Sequence, residues 1–195
     1  MPIRAPSAAA LLAVLLGAAA PALAQTRQPP PSPPPRPSAA AQAAAEPERS
    51  LAVFGDWAVR CEGRGTARNC EVTQTVQNDR SRPVAVFAIG RLAPAAPMKF
   101  VAQLPVNVLL TATPQLVLDG GVTTGTPLPL TWRQCIPNGC YAEADLRDAA
   151  LLDRLRARGA GQPGHVVFQQ AAGGEATLPV SFRGLAEALD ALARE

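Results

Sequence analysis

The chain has 195 residues and a formal net charge of +3, from 18 basic and 15 acidic side chains. This length suits one domain with appendages. The charge is too small for the basic stripe that marks electrostatic binding of nucleic acid. All the aromatic residues lie after residue 50, whereas the first fifty residues are rich in alanine. We therefore expect a globular domain over residues 51–195, a coreless segment before it, and no nucleic-acid partner.

The first 24 residues have the layout of a secretory signal peptide. Arg4 gives a positive start, an uncharged alanine- and leucine-rich run follows over 8–20, and Ala22-Leu23-Ala24 supplies a cleavage pattern before Gln25. The apolar run is shorter than the roughly twenty residues that a transmembrane helix needs. We predict cleavage after Ala24, export to the periplasm or cell surface, and no transmembrane segment in the mature chain. An uncleaved membrane anchor is the alternative.

Residues 25–50 contain proline runs followed by an alanine run that is broken by Gln42. With few apolar residues besides alanine, this segment cannot bury enough surface to offset its ordering entropy. Proline runs also favour the extended polyproline II conformation, at about 3.1 Å per residue. We predict a disordered Pro/Ala-rich linker, with a polyproline ligand as the alternative.

Four cysteines form two short-range pairs, Cys61 with Cys70 and Cys135 with Cys140. An even cysteine count in an exported chain indicates disulfides. Of the three possible pairings we favour the two local ones, because each spacing allows a turn to bring the thiols together. Each closure would stabilise the fold by roughly 2–3 kcal/mol. A four-cysteine zinc site is a weaker alternative because the first spacing is too wide, and redox catalysis would need a C-x-x-C motif.

Most of the sequence after residue 51 alternates apolar and polar side chains with a period of two, which predicts β-strands with one buried face. Trp57, Val59 and Cys61 show this pattern, and the glycine pairs at 120–121 and 173–174 indicate turns. About seven or eight short strands favour a β-sandwich or a related barrel. The predicted strands lie near 57–61, 70–76, 83–92, 98–104, 115–119, 128–132, 166–170 and 177–182.

Two stretches have helical spacing instead. One spans about 145–158, and we expect Asp145 and Asp148 in its first turn, where carboxylates interact favourably with the helix dipole. The other spans about 184–194, with leucines on one face and Ser181 as its candidate N-cap. We expect both helices to pack on the edges of the sheets.

The sequence offers no convincing catalytic or metal-binding constellation. His165 is the single histidine, and no G-x-S-x-G elbow surrounds Ser181. Glycine-rich phosphate loops and histidine clusters are also absent from the sequence. We expect no cofactor, no metal and no enzymatic activity. An extracytoplasmic hydrolase that uses His165 and Ser181 is the alternative.

Five motifs occur along the domain in the order typical of one protein family. They are GDWAVRC at 55–61, CEVTQ at 70–74, LDGG at 118–121, CIPNGC at 135–140 and LPVSFRGL at 178–185. With these motifs the sequence resembles the invasion-associated locus B family over about residues 54–192. One departure is Asn107, which stands where the family tends to have a proline-glycine turn.

The resemblance implies an exported bacterial protein, periplasmic or surface-associated, with no established catalytic residues or cofactor. We therefore expect a binding module whose partner is an envelope or surface protein, with a periplasmic chaperone or stress factor as an alternative. The loop closed by Cys135 and Cys140 is the candidate contact loop, because a closed loop loses little entropy on binding. A disulfide that only pins a turn is the simpler interpretation. The candidate loop residues are Arg133, Ile136, Pro137, Asn138 and Gly139.

Overall fold

The computed structural model describes residues 48–93, 95–118 and 127–195. The predicted signal peptide, most of the predicted linker and the predicted turn at 120–121 lie outside these residues. The described part holds eleven strands and two helices, which confirms the predicted mainly β fold with more strands than expected. Neither helix in this part has the length and apolar content needed to cross a membrane.

The described chain forms a series of short strands, with one helix between β9 and β10 and a second helix after β11. The strands are β1 (Arg49–Phe54), β2 (Trp57–Glu62), β3 (Asn69–Gln77), β4 (Pro83–Gly90), β5 (Lys99–Leu104), β6 (Gln115–Val117), β7 (Pro127–Pro129), β8 (Thr131–Ile136), β9 (Gly139–Asp145), β10 (Gly164–Gln169) and β11 (Glu175–Val180). Helix α1 (Ala149–Ala157) follows β9, and helix α2 (Leu185–Leu192) follows β11. A single 3₁₀ turn (Gly65–Ala67) joins β2 to β3.

The strands form two antiparallel sheets. The larger sheet has the order β1-β2-β3-β4-β5-β9-β8, and the smaller has the order β11-β10-β6-β7. The larger sheet is therefore a meander extended by the β8–β9 hairpin, which leaves β1 and β8 as its edges. Helix α2 contacts β1, β2 and β3 at one side of this sheet and also contacts α1.

One face of the larger sheet is buried and the other meets solvent, as an antiparallel sheet allows. In β4 the buried residues Ala85, Phe87 and Ile89 alternate with half-exposed ones. Both sheets and both helices contribute to one hydrophobic core. Its fully buried large side chains include Trp57, Phe87 and Phe100 from the larger sheet, Leu116, Val166 and Val180 from the smaller sheet, and Leu155 and Leu185 from the helices.

Two strands were missing from the sequence-based prediction, and the single strand predicted at 128–132 is divided into β7 and β8. Strand β1 begins at Arg49, inside the predicted linker, and its Leu51 and Val53 are exposed. This strand therefore lacks the buried apolar face that the period-two pattern detects. Strand β9 has only small residues, Ala142 and Ala144, at successive inward positions. Its inward side chains are therefore hardly more apolar than its outward ones, and the period-two pattern is weak.

Helix α1 begins four residues later than predicted, whereas α2 begins at Leu185, within one residue of its predicted start. Asp145 is the last residue of β9, where it is registered with Lys99, and Asp148 is the N-cap of α1. The Asp148 carboxylate accepts a hydrogen bond from the Ala150 N–H at 2.9 Å. The predicted place of both aspartates in the first helical turn is therefore wrong. Ser181 is also not the cap of α2, because Gly184 occupies that position in a left-handed conformation.

Candidate functional site

Both favoured disulfides are present in the fold. Cys61–Cys70 joins β2 to β3, and Cys135–Cys140 joins β8 to β9, each with Cα atoms 4.0 Å apart. In both cases the two cysteines are direct cross-strand partners in an antiparallel ladder. The local pairing is therefore confirmed, and each disulfide fixes the register of one hairpin.

The strand registers place the two disulfides at opposite ends of the larger sheet. Next to the first disulfide, Glu71 pairs with Gly90, and Gly90 pairs with Lys99 at the start of β5. The second disulfide lies beside Leu104, at the other end of β5, because Leu104 pairs with Cys140. The molecule therefore presents two separate surfaces, each braced by one disulfide.

The candidate contact loop is a tight turn at the end of the β8–β9 hairpin. Pro137 and Asn138 alone connect Ile136 to Gly139. A Cβ atom at Gly139 would lie 2.8 Å from a carbonyl oxygen of β5, so only glycine fits this close approach. Gln103 Nε2 donates a hydrogen bond to the Asn138 carbonyl at 2.8 Å. The turn is thus held by the disulfide and by the neighbouring strand.

Exposed apolar side chains occur on this turn and on the segment that leaves β5 beside Cys140. Ile136 is 40% exposed, and the segment that leaves β5 presents Val106, Leu109 and Leu110 at 60%, 41% and 54% exposure. This segment is tied back to β8 at its far end, where Trp132 Nε1 donates a hydrogen bond to a backbone carbonyl at 2.9 Å. We call Ile136, Val106, Leu109 and Leu110 the hairpin-end patch.

Arg133, the remaining residue of the candidate loop, belongs to an ion-pair network on the outer face of the larger sheet. Its Nε lies 2.8 Å from Glu143 Oε1, and Lys99 Nζ reaches the same oxygen at 2.6 Å. Lys99 Nζ also lies 2.9 Å from Asp145. Hydrogen bonds to Glu143 and then to Asp145 raise the pKa of Lys99. Arg133 therefore holds the edge strand β8 against its neighbour β9.

Ser181, the candidate nucleophile, is bonded to Asp56 and not to His165. Its hydroxyl donates to Asp56 Oδ2 at 2.6 Å and accepts from the Arg183 N–H at 3.2 Å. His165 is registered opposite Pro179, and its Nδ1 is buried without a hydrogen-bond partner among the described residues. The structure therefore does not form the nucleophile–base hydrogen bond that a serine hydrolase uses.

Residues from opposite ends of the domain meet around Ser181. Trp57 Nε1 donates to the Ser181 carbonyl at 2.7 Å. Gln74, which is only 4% exposed, accepts from the Ser181 N–H at 3.1 Å and donates to its carbonyl at 3.3 Å. Arg183 forms a two-point ion pair with Asp56. We call these five residues the motif cluster, because all but Gln74 come from the first and last sequence motifs and Gln74 ends the second.

The electrostatics of the motif cluster favour the paired, ionised state. Hydrogen bonds from Arg183 and then from Ser181 lower the pKa of Asp56. The hydrogen bond to Asp56 in turn raises the pKa of Arg183. A shallow cleft of about 330 Å³ opens beside Asp56, Gln74 and Ser181. Because the polar groups named above bond to one another, the cluster joins the β1–β2 turn to the segment before α2. Sequence reasoning found these residues only as motifs and did not bring them together.

One group of side chains has metal-ligand spacing within the described part of the chain. Ligand atoms of Cys61, Cys70 and Glu195 lie within 4.8 Å of one another. Both sulfurs are consumed in a disulfide, and a metal site would need them as thiolates. This group therefore does not form a thiolate metal centre.

The comparisons with known proteins agree with these motifs. The chain matches the family model described as "Invasion associated locus B (IalB) protein" over residues 57–193. The chain belongs to the IalB family. The crystal structure of invasion associated protein b from Bartonella henselae is similar in fold, with a TM-score of 0.61 at 22% identity, covering 74% of this chain and 95% of that chain. No curated protein gives a significant match.

The IalB match includes both disulfides and four of the five motif-cluster residues, with Asp56 one position before it. The family resemblance found in the sequence is thereby confirmed. At the departure from the family pattern, the Asn107 carbonyl accepts a hydrogen bond from the Ala171 N–H at 2.8 Å, and Val108 forms a bridge with Gln170. These bonds fix the segment with the exposed leucines against the turn that follows β10.

Proposed function

We propose that this IalB-family chain is an exported, non-enzymatic binding module of the bacterial envelope or cell surface, with an envelope or surface protein as its partner. Membership of the family and two oxidised cysteine pairs fit an extracytoplasmic protein. The predicted signal peptide, with cleavage after Ala24, gives the route of export. The predicted linker, which must end before β1 begins at Arg49, would act as a spacer ahead of the domain.

We propose the hairpin-end patch as the contact surface. The observation that carries this assignment is Ile136, an apolar side chain 40% exposed on a turn that a disulfide closes. A turn held by Cys135–Cys140 and by Gln103 loses little conformational entropy when a partner binds. The segment with Val106 leaves β5 at Leu104, which pairs with Cys140, so it begins at the same end of the sheet as Ile136. Exposed apolar groups that are concentrated in one region mark interaction surfaces more often than isolated ones do.

The remaining loop residues support this surface in different ways. Pro137 and Asn138 shape the turn, and Gly139 allows the backbone to approach β5. Arg133 lies at the rim, where its ion pair with Glu143 stiffens the hairpin. We therefore expect Ile136 to dominate the binding energy and Arg133 to affect it less, since exposed ion pairs contribute only about 0–1 kcal/mol.

The test compares two exposed apolar residues of the same sheet. Ile136→Asp places a charge in the patch, and the control Leu51→Asp places one on β1, where Leu51 is 66% exposed at the opposite edge. Both variants of the full chain are used to recover crosslinked partners from an envelope extract, after circular dichroism has shown that they fold. We expect Ile136→Asp to lose a partner that Leu51→Asp retains. Equal recovery by both variants would contradict the proposed surface.

A further inference from the structure

A second cleft lies at the opposite end of the larger sheet, next to the Cys61–Cys70 disulfide. It has a volume of about 540 Å³, within the usual range of small-molecule sites. Its walls come from the 3₁₀ turn and the start of β3, from the segment after β4, and from the residues after α2. The lining residues used below are Arg68, Leu92, Leu192 and Glu195.

Two arginines, Arg68 and Arg91, line this cleft, and Arg68 is the one whose orientation the hydrogen bonds define. The Arg68 side chain is only 10% exposed, and a charged side chain is buried to that extent only when it is paired. Its Nη2 donates to Ser50 Oγ at 3.0 Å, which fixes the guanidinium against β1. Its Nε and Nη2 both donate to Glu195 Oε2, at 3.0 Å and 2.8 Å. The cleft thus contains an oriented arginine, and the Glu195 carboxylate is one of its partners.

The position of Glu195 suggests that this partner can be displaced. Both donors converge on one oxygen of the carboxylate, whereas the strongest arginine–carboxylate pairs engage both oxygens. The Glu195 N–H reaches the Leu192 carbonyl only at 3.4 Å, a long hydrogen bond, and the Glu195 side chain is 35% exposed. A turn held this weakly opens at small cost.

Two leucines give the cleft an apolar portion. Leu92 is 81% exposed, the largest value among the exposed apolar side chains described here. Leu192 contributes from the end of α2, where it is partly buried against the core. A ligand with a carboxylate for Arg68 and a short apolar group for Leu92 therefore matches both features of the cleft.

We propose that the cleft at Arg68 binds a carboxylate carried on a short apolar group, and that Glu195 occupies the site as an internal competitor. A peptide whose last residue is apolar and an aliphatic monocarboxylate share this chemistry. An internal ligand acts at a high effective concentration, so it weakens the apparent affinity for an external one. Removing the Glu195 charge should therefore tighten binding. This inference is independent of the hairpin-end patch, which lies at the other end of the sheet.

The experiment titrates the full chain, with both disulfides formed, with acetyl-Gly-Gly-Leu as the free acid. Its amide and hexanoate are titrated in parallel, and the Arg68 Nε–H resonance is followed by NMR. We expect the free acid to shift this resonance, the amide to leave it unchanged, and Glu195→Gln to lower the apparent Kd about five- to tenfold. The matched control Glu187→Gln, which neutralises an exposed glutamate of α2, should leave the Kd unchanged. Binding of hexanoate as tight as that of the peptide would assign the site to small carboxylates.

Arg68→Lys removes the planar donor pair and the Arg68 resonance, so this variant is followed at the backbone amides of Leu92 and Leu192, which also line the cleft. The shifts that the free acid causes at these amides in the wild type should be lost, with thermal unfolding as the check on folding. If Arg68→Lys does not fold, the comparison of Glu195→Gln with the wild type still tests the proposal. The proposal is overturned if the free acid and the amide give the same titration, or if Glu195→Gln leaves the affinity of the free acid unchanged.

Discussion

Gly55 and Gly184 each lie so close to a backbone carbonyl that no side chain fits at either position. A Cβ atom at Gly184 would lie 2.0 Å from the Phe54 carbonyl oxygen, and one at Gly55 would lie 2.5 Å from the Arg183 carbonyl oxygen. Both residues also have positive φ, at 83° and 58°. The β1–β2 turn and the start of α2 therefore pack backbone against backbone, and the motif cluster closes the same contact from the side.

Gly184→Ala should destabilise the domain more than the same change at a glycine with free space. Gly173 is the matched control, since its φ is 92° and no atom lies within 4 Å of a Cβ placed there. Gly173→Ala should cost about 1 kcal/mol for the left-handed backbone alone. Gly184→Ala should cost about 3 kcal/mol, because overpacking adds to the same backbone term. Urea unfolding measures both, and equal costs would refute the close contact.

Asp56→Asn should weaken the acid sensitivity of the fold. The pKa of Asp56 is lowered below 3.8 in the folded state, first by the hydrogen bond from Arg183. Its contribution to stability is therefore fully present above the unfolded pKa and is lost as the pH falls through the folded value. Asp56 is 34% exposed, and solvent screening limits the cost of Asp56→Asn at pH 7 to about 1 kcal/mol.

The measurement for Asp56 is urea unfolding at pH 7 and at several values below pH 4. The difference between the wild type and Asp56→Asn should shrink as the pH falls below 4. Asp153→Asn, which removes an exposed carboxylate of α1, is the matched control and should give no such convergence. A constant difference at every pH would show that Asp56 contributes no charge-dependent stability.

Gln74→Glu should be severely destabilising at neutral pH. Gln74 is buried, and its amide both donates to and accepts from the backbone of Ser181. A glutamate would place an ionised group against the Ser181 carbonyl, at a cost of about 3 kcal/mol. Gln77→Glu, at an exposed position of the same strand, should change stability by less than about 0.5 kcal/mol. Similar thermal unfolding of the two variants would show that the Ser181 contacts contribute little.

The two disulfides should differ in stability contribution and in accessibility. Replacing both cysteines of Cys135–Cys140 by serine should cost about 2 kcal/mol, and the Cys61–Cys70 pair about 3 kcal/mol, since it closes the longer loop. Cys135 is exposed, whereas Cys61 is fully buried. Graded reduction followed by alkylation and mass spectrometry should therefore label Cys135 and Cys140 first. Earlier labelling of Cys61 and Cys70 would contradict the exposure seen in the fold.

The strands that could be predicted are those whose own sequence shows a buried apolar face. In β2 and β5 the buried apolar residues recur at every second position, whereas β4 is a continuous apolar run and the buried face of β3 includes Gln74. The two disulfides follow from cysteines that face one another across a short connection. Strand β1 escaped prediction because Leu51 and Val53 face solvent. The start of α1 was misplaced because Asp145 reads as a helix-start residue, whereas its register opposite Lys99 keeps it in β9.

The motif cluster was beyond sequence reasoning for a different reason. Asp56 and Ser181 are separated by 125 positions, and no local pattern reports a contact at that distance. Ser181 reads locally as a helix cap, but its hydroxyl bonds to Asp56 instead. The family resemblance marked both residues without indicating that they touch, and only the three-dimensional fold explains why their motifs occur together.

The most direct test of the binding-module assignment is site-specific photo-crosslinking in living cells. A photoreactive residue replaces Ile136 in one strain and Leu51 in another, and adducts are identified by mass spectrometry. We predict one recurrent envelope or surface protein crosslinked at position 136 and absent at position 51. The absence of any adduct at 136 that is missing at 51, with both chains exported and oxidised, would contradict the assignment.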